Sequence, residues 1–127
     1  MSYSFGLTSK AKLSTVHPDL QRLFQAAIKD APYDFSITEG IRTKERQKAL
    51  FDSGKSQTMN SRHLTGHAVD VAIIIDGEAV WELAKYVCLM EHVKKLSAAL
   101  NIPIVCGCEW LSFKDGPHCE LDRNFYK

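Results

Sequence analysis

The run "AVDVAIII", residues 68 to 75, sets an aspartate inside the most β-prone stretch of the chain. Its β-branched, apolar composition favours a strand, and the Asp76-Gly77 pair that follows is a turn signal. An ionised carboxylate buried in such a strand is costly unless it is paired, hydrogen-bonded or bound to a metal. Asp70 is that carboxylate, and two histidines stand just upstream of it in "NSRHLTGHAVDVA". Whatever fold the chain adopts must bring Asp70 a partner.

The rest of the chain supplies helices and strands to surround it. Leu20, Leu23, Phe24, Ala27 and Ile28 recur at helical spacing, with Pro18 and Asp19 suited to a first turn and Pro32 just past the end. "YDFSITEG" alternates Phe35 and Ile37 with polar neighbours and predicts a short strand closed by Gly40. A second helix is expected from a Thr43 cap to Gly54, followed by a polar loop over residues 55 to 67. The longest helix is expected from about Ala79 to Leu100, apolar nearly all round. "IPIVCG" and "HCEL" read as two more strands, with "CEWLSFKDGP" as the loop between them. Strands joined by tight turns and interspersed with helices predict an α+β fold, a small single domain over residues 1–127 with helices on an antiparallel sheet.

Composition narrows the chemistry. A chain of 127 residues, 45% hydrophobic and 24% charged, can bury roughly two-thirds of its unfolded surface without disulfides or a metal, so a metal here would serve chemistry. The formal net charge of +1 and scattered basic residues argue against a nucleic-acid partner but leave anionic small substrates open. No apolar run approaches the ~20 residues of a membrane span, and the polar amino terminus carries no export signal, so the expected place of synthesis and retention is the cytoplasm, without membrane insertion. Cys88, Cys106, Cys108 and Cys119 are read there as reduced, small, buried packing residues. The spacing of Cys106 and Cys108 is too tight for a paired structural zinc motif.

Far downstream of Asp70, "DGPHCEL" places His118 at the start of a strand, with Asp115 in the turn before it. His63, His118 and Asp70 make two histidines and a carboxylate, a set that suits a catalytic zinc with one position left for water. Each residue alone could equally be an ordinary surface or core group, and the spacing does not decide between the readings.

The segment "SRHLTGHAVD" matches Ser-x-His-x-x-Gly-x-Ala-x-Asp, and "DGPHCEL" supplies an acidic residue three positions before a histidine. In both, the chain resembles the zinc peptidases of bacterial peptidoglycan, which include D-Ala-D-Ala dipeptidases, D,D-carboxypeptidases and phage L-alanyl-D-glutamate endopeptidases. "ITEGIRTKERQKALF" and "GCEWLSFKDGPH" extend the likeness over most of residues 35 to 121. The resemblance implies the D,D-peptidase/Hedgehog-type α+β zinc fold. It also implies one zinc ion held by His63, Asp70 and His118, with Asp115 as the catalytic base and acid. Arg42 is expected to hold an anionic substrate group or the developing oxyanion. Ser61 is expected to donate to substrate, Gln47 to hold the Arg42 loop or touch substrate, and His67 to contact substrate or a neighbouring carboxylate rather than the metal. Trp110 and Phe113 are candidates for the cleft wall or for the core. Gly66 should let the loop turn sharply, and Ala68 should leave room beside the ion.

Two departures bear on the activity implied. Gly107-Cys108-Glu109-Trp110 stands where the phage enzymes tend to show Gly-Gly-Asp-Trp, and Asp115 stands where the dipeptidases carry glutamate. The second tilts the expectation toward an endopeptidase cutting the L-alanyl-D-glutamate bond of stem peptides. The whole then reads as a phage endolysin, a monomer without a wall-binding domain, released to the wall by a holin. The alternatives are a D,D-carboxypeptidase or D-Ala-D-Ala dipeptidase and, from another class, a non-catalytic zinc-containing peptidoglycan-binding module.

Overall fold

The computed structural model describes residues 3–56, 58–59, 61–110 and 115–126. Among the described residues, four α-helices, α1 (Leu7–Leu13), α2 (Pro18–Lys29), α3 (Lys44–Asp52) and α4 (Leu83–Leu100), accompany five strands. The strands are β1 (Asp34–Glu39), β2 (Ala68–Ile75), β3 (Glu78–Val80), β4 (Ile104–Cys106) and β5 (His118–Leu121). All pairings are antiparallel, in the order β1-β2-β5-β4. Strand β3 shares an edge of β2 with β5: β5 takes Ala68 to Asp70 and β3 takes Ile73 to Ile75. This is the expected α+β architecture.

The period of two in β2 divides its side chains between two environments. Val69, Val71 and Ile73 join the core, while Ala68, Asp70 and Ala72 face the other way. The core is closed by Leu20, Leu23, Phe24, Ala27 and Ile28 of α2 and by Tyr86, Leu89, Met90 and Val93 of α4, and the two helices pack on each other. Tyr86 ties α4 to the sheet, its hydroxyl accepting from the Ile73 amide at 3.0 Å and donating to the Val80 carbonyl at 2.6 Å.

Several elements differ from the sequence expectation. The long helix begins at Leu83, because Asp76 and Gly77 both adopt positive φ (52° and 80°) and turn the chain straight back into β3. Ala79 and Val80 therefore lie in a strand, and Trp81 is exposed, stacked on Tyr86. Helix α1 has no counterpart in the sequence reading; it covers the outer edge of β1, where Ser9 Oγ accepts from the Ile37 amide. The polar loop contains a short 3-10 turn, Arg62–Thr65. Cys106, Cys108 and Cys119 are buried as expected, but Cys88 is exposed on the outer face of α4, which corrects its reading as a packing residue.

Candidate metal centre

Asp70 and His118 are direct partners in the β2–β5 ladder, so the sheet itself sets them side by side. His63 arrives from the 3-10 turn, whose entry is capped by Ser61 Oγ accepting from the His63 amide at 3.2 Å. The turn ends at Gly66, in the left-handed region at φ 74°, where glycine carries no Cβ penalty. His63 Nδ1 is fixed by the Gly40 carbonyl at 2.9 Å, which leaves Nε2 pointing inward. His63 Nε2 and His118 Nδ1 each lie 3.2 Å from Asp70 Oδ1. Among the described residues, this is the one group of three or more possible ligands whose donor atoms fall within 4.8 Å of one another.

The donor set fits a divalent transition metal. His63 Nε2 is buried and, although near Asp70, is not aligned to hydrogen-bond it, so it has no hydrogen-bond partner. A nitrogen lone pair sealed from water with nothing to accept is costly, and a cation would satisfy it. The outer nitrogens of both rings are already held, His63 by the Gly40 carbonyl and His118 by Glu120 Oε1 at 2.9 Å, as metal-binding histidines generally are. Burial opposes ionisation of Asp70, but its contacts with His118 and His63 outweigh it and hold the carboxyl well below the usual range. Burial likewise disfavours charge on His118, yet Asp70 and Glu120 on its two ring nitrogens push it up to about 9. A cation at Nδ1 would displace that proton, so metal uptake should release protons.

The triad lines one wall of a cleft of about 520 Å³ that also holds Arg42, Ser61, Trp110 and Asp115. Asp115 is placed by a close approach of two loops: its amide donates to the Gly107 carbonyl at 3.0 Å, and its own carbonyl accepts from the His118 amide at 3.2 Å. A Cβ on residue 107 would collide with the Asp115 backbone, so glycine is required there. Burial pushes the Asp115 carboxyl up, and the charge of Asp70 pushes it further. In the departing stretch Gly107-Cys108-Glu109, Gly107 makes this close approach and Glu109 turns outward to Lys94 at 2.6 Å. Trp110 walls the cleft, its ring 5.0 Å from that of His118, whereas Phe113 lies outside the described residues.

The remaining candidates separate. Arg42 lines the cleft, but its guanidinium is engaged within the site: Nε and Nη2 donate to the two Glu39 oxygens, Nη1 donates to Gln47 at 2.7 Å, and Nη2 stands 3.5 Å from Asp70 Oδ2. Gln47 is fully buried and does not line the cleft; its amide nitrogen donates to Ser56 Oγ and the Thr58 carbonyl. Of the two roles expected for it, holding the Arg42 loop is the one this geometry permits. His67 is not among the cleft residues; it hydrogen-bonds Thr65 Oγ1 at 2.6 Å and lies beside the ring of His17. Glu39 and Glu120, which orient Arg42 and His118, were not singled out in the sequence. Glu120 carried a signal, since it is two residues from His118 and so on the same strand face.

The whole chain, residues 1–127, matches the family described as "Phage L-alanyl-D-glutamate peptidase". It is 33% identical over 130 residues to the L-alanyl-D-glutamate peptidase of Escherichia phage T5, covering 99% of this chain and 94% of that protein. It is 27% identical to the peptidoglycan L-alanyl-D-glutamate endopeptidase CwlK of Bacillus subtilis (strain 168), over 87% of this chain and 76% of the relative. Its fold matches the crystal structure of the Serratia marcescens L-Ala D-Glu endopeptidase ChiX with a TM-score of 0.90 and 38% identity, over 97% of this chain and 93% of that one.

Proposed function

Because the chain belongs to the phage L-alanyl-D-glutamate peptidase family, a family of peptidoglycan endopeptidases, we propose that it cuts the L-alanyl-D-glutamate bond of stem peptides with one zinc ion held by His63, Asp70 and His118. The observation that carries the metal assignment is the orphaned, buried His63 Nε2 facing Asp70 and His118. When bound, zinc supplies Lewis acidity, acidifying water and polarising a carbonyl.

The chain's own groups do the rest. Asp115 takes a proton from the attacking water and returns it to the leaving amine; a carboxyl whose proton affinity is raised by burial is the better base for that transfer. Arg42 acts through Asp70, bridging it to Glu39 so that the carboxylate keeps one orientation. Ser61 stands at the rim, where its hydroxyl caps the His63 turn and still has a proton to give to substrate. Trp110 shields the His118 side from water. In this reading the protein is a monomeric endolysin, made in the host cytoplasm and admitted to the wall by a holin. No helix among the described residues is long and apolar enough to cross a membrane.

Mass spectrometry of muropeptides released from purified peptidoglycan tests the bond assignment. New L-alanine carboxyl termini are expected. Free D-alanine or a D-Ala-D-Ala dipeptide in their place would move the activity to the far end of the stem.

A further inference from the structure

The engagement of Arg42 leaves the substrate's charge without an obvious receiver. In an L-alanyl-γ-D-glutamyl peptide, the carbon that carries the scissile nitrogen also carries a free carboxylate. A subsite for that anion must therefore lie immediately beside the metal-site histidines. Among the described residues, four other cations line the cleft: Arg46, Lys55, Arg62 and Arg123. Arg46 is largely exposed on α3 and leans toward Glu39 at 3.7 Å, and Lys55 is exposed on the loop beyond that helix.

Arg123 is as exposed as Arg46, but Arg62 and Arg123 are tied to the turn that carries His63 and to the carboxylate that holds His118. Arg62 shares the 3-10 turn of His63 and immediately precedes it. Its Nη2 donates to the Tyr126 carbonyl at 2.6 Å, while its Nε is buried without a hydrogen-bond partner. Arg123 lies 3.6 Å from Glu120 Oε2, and the other oxygen of that carboxylate accepts from His118. Both guanidinium groups thus line the cleft, one on the turn that carries His63 and the other beside the carboxylate that holds His118. Like charges gathered beside a buried, unpaired N–H are what a second anion would relieve, and a planar guanidinium matches a carboxylate.

We propose that Arg62 and Arg123 form the subsite for the α-carboxylate of the D-glutamyl residue, so that the enzyme distinguishes a free carboxylate at that position from its amide. This rests on the peptidase reading above. The rim cations then set specificity for the residue after the cut, while Arg42 serves the metal site.

The test uses two synthetic stem peptides that differ only in D-glutamate or D-isoglutamine after L-alanine, assayed with the zinc-loaded full chain. The parent protein should cleave the acid peptide about ten-fold or more better in kcat/KM, the scale of one charge-assisted hydrogen bond. Arg123→Gln should lose that preference chiefly through KM on the acid peptide, with little change on the amide. Arg62→Lys, checked for zinc content and circular dichroism because Arg62 also braces Tyr126, should narrow the preference in the same direction. Equal rates on the two peptides in the parent would overturn the proposal, as would a preference that survives undiminished in both variants. Cleavage of neither peptide by the parent would remove the peptidase reading and this inference with it, an outcome separate from cleavage without discrimination.

Discussion

Asp70 and Asp115 share a cleft, yet the chain holds them in opposite ways. Asp70 lies in an eight-residue strand paired on both sides, within reach of two histidines and Arg42, and against its burial the histidines hold its carboxyl below the usual range. Asp115 hangs on a turn fixed by backbone contacts to Gly107 and His118, and burial together with the Asp70 charge raises its proton affinity. Carboxylates driven apart in this manner take different tasks, one to stay charged and the other to exchange a proton. In the proposed mechanism the strand-borne group holds the cation and the loop-borne group does the chemistry beside it.

The largest effect should come from breaking the strand side. Replacing His118 or Asp70 with Ala should abolish zinc binding and turnover together, and a strong chelator should do the same to the parent, reversibly on adding zinc. Metal analysis that found near-stoichiometric zinc in either variant would mean that the ligand set is wrong. A smaller effect is expected one step out. Glu120→Gln keeps the shape but removes the carboxylate that orients the His118 ring, and the loss of such a partner typically costs about 10- to 100-fold in metal affinity. Competition against a chelator of known affinity would read it, and an unchanged affinity would deny Glu120 that part. The smallest effect should come from His67→Ala, because His67 stands outside the cleft. Zinc content should be unchanged and turnover within about two-fold, the range of a substitution away from structural features.

Much of the strand side was legible in the sequence because it is local. An aspartate in a β-branched run, a histidine seven residues before it and a glycine that lets the loop between them turn are all features of one segment. The pairing of Asp70 with His118 was not readable from spacing, since register across 48 residues is set by the ladder; there the family resemblance stood in for geometry. The groups that orient the site were hidden for the same reason. Glu39 sits at the end of an ordinary strand, and only the folded chain shows both of its carboxylate oxygens taken by Arg42. The start of α4 was misplaced because Ala79, Val80 and Trp81 are as apolar as the helix they precede. The Asp76-Gly77 turn pointed to a hairpin and outweighs that pattern.

The division of labour between the two carboxylates is tested most directly by Asp115→Asn, measured in one preparation for zinc content and for the rate at which new amino groups appear from peptidoglycan. Asparagine preserves the size of the side chain and cannot accept the proton. The variant should carry about as much zinc as the parent and turn over slower by on the order of a hundred- to ten-thousand-fold, the usual contribution of a positioned general base. A variant that keeps its zinc and more than about a tenth of the parental rate would show that Asp115 does not move the proton. One that loses its zinc would place Asp115 among the groups that hold the metal.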